Sequence, residues 1–140
     1  MVNYKYLNIL KRDDSMKYTI TQLAKEFQVT TRTIRYYEEL ELLHPERNES
    51  GRRVYSKRDM TKLKLIFRGK RFGFSLEEIK EMVLLFDQDR SGRKQLECTI
   101  EYGTKRIEEI ASLIEELEVM KNEMVKLKDE FARKLIMIGD

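Results

Sequence analysis

The sequence predicts a mainly α-helical protein: an N-terminal winged helix-turn-helix followed by one long C-terminal helix. Three observations predict it. Two short amphipathic segments, each preceded by threonines, flank Gln28-Val29-Thr30. A cluster of turn formers, Asn48-Glu49-Ser50-Gly51, leads into the short extended run Arg52-Arg53-Val54-Tyr55. From Leu96 onward an apolar seam alternates three- and four-residue steps, with no proline in it. The expected division is a tail at 1–16, a head at 17–86, a linker at 87–94 and a long helix at 95–138.

Residues 1–15 carry no clear period and read as a tail, or as an over-long start ahead of Met16. Thr19 or Thr21 can cap a first helix with Leu23, Ala24 and Phe27 on one face. Thr31 can cap a second, from Arg32 to about Leu40, with Ile34, Tyr37 and Leu40 at helical spacing. Two short helices across a three-residue turn make a helix-turn-helix candidate. After Leu42-Leu43-His44 the chain must leave the helix at Pro45, which lacks an amide donor and restricts the residue before it. The turn cluster and the extended run then form a two-stranded wing.

Ser56 with Asp59 and Ser75 with Glu78 are capping-box pairs. They open helices carrying Met60, Leu63, Leu65, Ile66 and Phe67, then Leu76, Ile79, Met82, Val83 and Phe86. Gly69 weakens the first of these and Gly73 ends it. Asp87 to Gly92 is a polar break. The seam beyond runs Leu96, Ile100, Gly103, Ile107, Ile110, Ile114 and Leu117, then after one local stammer Met120, Met124, Leu127, Phe131, Leu135 and Ile138. A helix of about 45 residues would run roughly 65 Å at 1.5 Å per residue. That stripe is too long to be buried against a small head, so it needs a partner. A hairpin within the chain is the alternative, but no turn cluster separates Gly103 from Gly139.

The net charge of +3 conceals an asymmetry. Residues 17–73 hold 14 Lys or Arg against 7 Asp or Glu, a balance of +7, whereas residues 74–140 hold 11 against 16, a balance of −5. A basic head on an acidic arm suits a polyanion such as nucleic acid. One cysteine cannot form an internal disulfide, and no apolar run reaches membrane-spanning length, so the expected compartment is the cytoplasm. No paired carboxylates, activated nucleophile or phosphate loop stands out, and neither an enzyme nor a cofactor is expected.

The second helix offers Thr30, Thr31, Arg32, Thr33, Arg35 and Tyr36 on or near its exposed side, with no acid between Thr30 and Tyr37. Arginine can bond two acceptors on guanine or clamp a phosphate, and hydroxyls bond phosphate oxygens. A merely solvated face would mix Glu with Lys. The expected DNA-contacting set is Thr31, Arg32, Thr33, Arg35, Tyr36, Arg47, Arg52, Arg53, Tyr55 and Lys57, while Lys62, Lys64 and Lys70 read as solvating a helix back. The expected dimerisation set is Leu96, Ile100, Ile107, Ile110, Ile114, Leu117, Met120, Met124, Leu127 and Phe131.

Tyr18-Thr-Ile-Thr-Gln-Leu-Ala-Lys25, Val29-Thr-Thr-Arg-Thr-Ile-Arg-Tyr-Tyr-Glu38, Leu42-Leu43 with Pro45, Gly51-Arg-Arg-Val-Tyr55 and Arg71-Phe-Gly-Phe-Ser-Leu-Glu-Glu-Ile79 together resemble the head of the MerR family. The resemblance covers roughly residues 17–86. It implies an antiparallel coiled-coil homodimer on a two-fold symmetric promoter operator in double-stranded DNA. It also implies an effector that distorts that DNA, with RNA polymerase as the partner at the promoter. Carried over, the family's DNA contacts fall on Arg32, Arg35, Tyr36, Arg47, Arg53 and Tyr55. Two departures stand out: Glu41 replaces the usual glycine before the Leu-Leu pair, and Arg52 replaces the usual wing aromatic.

Metal-sensing members carry cysteines at both ends of the dimerisation helix, whereas this chain has Cys98 alone, so no metal is expected. Residues 63–76, with Leu85-Phe86-Asp87 and Gln95-Leu96, further resemble regulators of branched-chain amino-acid and acyl-CoA degradation, which implies an acyl-CoA or related metabolite as effector. The alternative from another class is a coiled-coil adaptor whose basic head is a non-specific DNA anchor.

Overall fold

The computed structural model describes residues 16–139, so the expected tail at 1–15 lies outside the described residues. The chain divides into two units, residues 1–102 and 103–140. The first contains β1 (Lys17–Tyr18), α1 (Ile20–Phe27), α2 (Thr31–Glu39), β2 (Glu46–Arg47), β3 (Arg53–Ser56), α3 (Lys57–Phe72), α4 (Leu76–Gln88) and the start of α5 (Arg93–Ile138).

Each head helix starts where a side chain satisfies its free amides. Thr19 caps α1, its Oγ1 accepting from Gln22 N at 3.1 Å while Gln22 Oε1 accepts from Thr19 N at 2.8 Å. Ser56 and Asp59 close the same box at α3, as do Ser75 and Glu78 at α4. Both were expected. The cap of α2 is Thr30 rather than Thr31: Thr30 is extended and its Oγ1 accepts from Thr33 N, while Thr31 is already helical. Gln28 makes the inter-helix turn in the left-handed region, at φ 55°.

The wing differs from the expected hairpin by one strand. β3 is central, pairing antiparallel with β2 (Arg47 opposite Arg53) and with β1 (Tyr18 opposite Tyr55). A two-residue strand shows no alternation, which is why the sequence conceals it.

Leu23, Ile34, Tyr37, Leu43, Tyr55, Leu63, Ile66, Ile79 and Val83 fill one core, with Phe67 edge-on to Tyr37 at 5.7 Å. Gly69, expected only to weaken its helix, lets α3 and α4 cross closely: a Cβ there would stand 2.8 Å from Ile79 Cγ1. Glu41 adopts φ 61°, the left-handed conformation for which glycine is the ordinary residue.

The linker is shorter than expected. α4 continues to Gln88 and α5 begins at Arg93, leaving Asp89–Gly92 as the turn. Asp89 holds it: Oδ1 accepts from Ser91 N and Ser91 Oγ, and Oδ2 from Lys94 N at 3.1 Å. The hydroxyl of Ser91 and those amides keep the Asp89 carboxyl below its usual range. The opening turns of α5 also belong to the first unit, because Gln95 is buried and Cys98 and Tyr102 pack on the core.

The second unit is helix from residue 103 to Ile138. Every large apolar side chain in it is at least 39% exposed, the seam residues Ile107, Ile110, Ile114, Leu117, Met120, Met124, Leu127 and Phe131 included. No helix among the described residues is long and apolar enough to cross a membrane.

Candidate nucleic-acid interface

Burial of Ile34 and Tyr37 fixes which side of α2 faces solvent. Arg32, Arg35 and Tyr36 stand on it, and Tyr36 is 45% exposed with its ring 5.3 Å from that of Tyr37. Thr31 and Thr33 are half-buried, and the Thr33 hydroxyl is shared with Thr30 Oγ1 at 3.1 Å. No carboxylate interrupts this face before Glu38.

The wing is set by its turn. Asn48 Oδ1 accepts from Arg52 N, Asn48 O accepts from Gly51 N, and Gly51 takes φ 77°. Arg47 Nη1 donates to Gly51 O at 2.8 Å, which folds its guanidinium over the turn. Arg47 and Arg52 are exposed and Arg53 and Lys57 half-buried. Arg53 Nε donates to Glu38 Oε2 at 2.7 Å, tying the wing to the end of α2.

Tyr55 requires a correction. Expected to reach a phosphate, it is fully buried, because at its register on β3 the side chain points into the core. Its hydroxyl donates to Glu38 Oε2 at 3.3 Å, and burial together with Glu38 pushes its pKa up to about 12. Lys62 requires another. Rather than solvating a helix back, its side chain is 4% exposed and its Nζ lies 2.6 Å from Asp87 Oδ2. Arg58 completes that cluster, donating from Nε to Asp87 Oδ1 and from Nη2 to the Phe86 carbonyl, with its guanidinium over the Phe86 ring. Lys64 is exposed, as expected.

Sequence reasoning left out Lys17. Strand β1 brings it to a groove lined also by Thr19, Thr21, Arg47, Asn48, Arg52 and Arg53. The signal was present only as a lysine two residues before a cap. Isolated cations acquire meaning when the sheet aligns them.

Cys98 is half-buried, and burial with Glu81 and Glu101 nearby pushes its thiol pKa up, which disfavours thiolate chemistry. Tyr102 donates its hydroxyl to Glu81 beside it, which holds the phenol pKa well above its usual value. Among the described residues no three His, Cys, Asp or Glu side chains are gathered as a metal would require.

Comparisons with known proteins place this geometry. The profile of the MerR HTH family of regulatory proteins matches residues 18–84, and that of the MerR DNA-binding region matches residues 60–127. The chain is 34% identical over 114 residues to the HTH-type transcriptional regulator ZntR of Escherichia coli, covering 80% of this chain and 79% of that protein. It is 35% identical over 115 residues to the mercuric resistance operon regulatory protein of Bacillus cereus, covering 81% and 85% respectively. A crystal structure of a MerR-family regulator from Bacillus thuringiensis superposes with a TM-score of 0.64 at 26% identity, over 79% of this chain and 99% of that one. HiNmlR, a MerR-family regulator lacking the sensor domain and crystallised on promoter DNA, gives a TM-score of 0.56 at 29% identity, over 74% of this chain and 80% of its own. The chain belongs to the MerR family of DNA-binding transcriptional regulators.

Proposed function

We propose that the protein binds a two-fold symmetric promoter operator as a homodimer, reading sequence through α2 and gripping backbone through the wing. The observation that carries this reading is the acid-free exposed face of Arg32, Arg35 and Tyr36 beside the cationic wing of Arg47, Arg52 and Arg53. Base edges in the major groove are read by such side chains near the start of a helix, while wing cations on phosphates add affinity and salt dependence. Thr31, Thr33 and Lys57 flank that surface as supporting phosphate contacts. The exposed seam of residues 103–138 supports pairing, since a helix with an uncovered apolar stripe lowers its free energy by burying it on a partner. In the antiparallel arrangement each arm ends near the partner's head.

Distortion of promoter DNA for RNA polymerase, triggered by an effector acting around residues 86–103 and the C-terminal turn, completes the reading. The effector class favoured is an acyl-CoA or related metabolite, on the resemblance carried by residues 63–76. A soft metal is disfavoured because the whole sequence supplies a single thiol, Cys98.

Competition binding tests the core of this. DNA from upstream of the protein's own gene should bind about 10³-fold or more tighter than random DNA at physiological salt. Equal affinity would leave only a basic anchor on a coiled-coil adaptor. Arg35→Ala should lower the specific affinity by about 1–3 kcal/mol and relax base preference, whereas Lys64→Ala should do neither.

A further inference from the structure

One acid is oddly placed for a DNA-binding surface. Glu38 lies in the last turn of α2, one turn beyond Arg35, where a free carboxylate would repel phosphate. Its neighbour Glu39 is exposed to water, but the Glu38 side chain is only 25% exposed and spans to the wing. One oxygen, Oε2, accepts from Arg53 Nε at 2.7 Å and from Tyr55 Oη at 3.3 Å. The buried Tyr55 hydroxyl remains a donor across the working pH range, because its pKa stands at about 12. The carboxylate is therefore held from two sides.

Arg53 is held in turn. A guanidinium is a rigid plane with donors on three edges, so engaging Nε fixes the direction of the remaining fork. Among the described residues no partner is found for either Nη group of Arg53. The side chain is 26% exposed, on the groove that also holds Arg47, Arg52 and Lys17. An arginine already immobilised in this way loses little further rotamer freedom on meeting a phosphate.

We propose that Glu38 is a positioning residue: it orients Arg53 so that the Nη fork is presented to a DNA phosphate, and it locks the wing to the reading helix. This rests on the DNA-contact reading of the wing given above. The pair is neutral as a unit, so Glu38 contributes geometry and not attraction. Its removal should separate specific from non-specific binding. On promoter DNA the wing must meet the backbone while α2 sits in register. On scrambled DNA any cation in reach of a phosphate suffices, and a freed Arg53 serves as well as a locked one.

The experiment measures affinity of the full chain for the promoter duplex and a scrambled duplex across a salt series, with thermal melting run on every variant. Arg53→Gln should weaken promoter binding and lower the salt slope by about one, the value of one phosphate contact. Glu38→Met, which keeps volume and helix propensity but accepts no hydrogen bond, should cut the promoter-to-scrambled ratio at least tenfold while scrambled affinity holds or rises. Glu38→Gln keeps an acceptor for Nε and should stay within about threefold of the parent ratio.

An unchanged slope and affinity in Arg53→Gln would overturn the wing-contact reading itself. A shift in Arg53→Gln with an unchanged ratio in Glu38→Met would overturn only the positioning role. Equal losses in the Met and Gln variants would also overturn it, since charge and not geometry would then matter. Nuclear magnetic resonance on the parent protein supplies a readout independent of folding in variants. The Arg53 Nε–H signal should persist when promoter DNA is added while the Nη signals shift, and loss of the Nε signal would contradict the proposal.

Discussion

The two units of this chain handle the same amphipathic pattern in opposite ways. In residues 16–88 helices α1 to α4 lay their apolar stripes on one another, and Leu63, Ile66, Ile79 and Val83 disappear into the core. In residues 103–138 a stripe of equal regularity stays in solvent, with no large apolar side chain less than 39% exposed. The head satisfies its own core, whereas the arm leaves its apolar stripe exposed, and the dimer proposed above is what would bury it.

That contrast can be broken most severely in the seam. If the proposed dimer pairs through this stripe, replacing Ile114 and Leu117 together by lysine should leave a monomer by sedimentation and cost about 10²–10⁴-fold in promoter affinity, since two half-sites would no longer be linked. The head's melting transition should not move. A double variant that still dimerises would show that the stripe is not the interface.

The head should respond in the reverse sense. Leu63→Ala removes a fully buried side chain and should lower unfolding free energy by about 2–5 kcal/mol in denaturant titrations. The mass of the assembly at low denaturant should be unchanged. A fall in mass with intact head stability would mean that the two units are not independent in the way their burial suggests.

Tyr55 sharpens the comparison within the head, between core and interface. Tyr55→Phe should cost about 1 kcal/mol of stability by losing the bond to Glu38 and should leave the salt slope of DNA binding unaltered. The pH dependence has a definite sign. A phenol raised to about 12 when folded, against about 10 when unfolded, stabilises the native state fully below pH 10. That contribution is lost as pH rises toward 12. The parent should therefore lose more stability than the phenylalanine variant across this window, and parallel curves would contradict the burial of the hydroxyl.

The smallest effect concerns Glu41. At φ 61° a glycine relieves backbone strain that a side chain incurs, partly offset by its greater unfolded freedom. Glu41→Gly should raise stability by up to about 1 kcal/mol. A loss of stability would assign Glu41 a contact that the backbone geometry does not require.

Most of the head was legible because its signals are local. The Ser56–Asp59 and Ser75–Glu78 boxes span three residues each, and the apolar spacing of α1 to α4 repeats within a turn or two. What escaped was decided across distance. Lys62 reads as a solvated lysine until folding brings Asp87 to it from 25 positions away. Tyr55 reads as an interface aromatic until β1 and β2 flank its strand and turn it inward. In sequence Glu38 is one of the acids Glu38, Glu39 and Glu41 that follow the basic face, and only the strand register gives it Arg53 and Tyr55 as partners. For the candidate interface, the α2 cations were readable from the absence of acids among them. Lys17 was not, because a two-residue strand leaves no period to read.

In the proposed function two heads linked by paired arms engage one operator. Native mass spectrometry of the full chain with a duplex from upstream of its own gene tests it directly. Two chains should appear on each duplex, together in a single step. One chain per duplex, or a series that grows with DNA length, would contradict it.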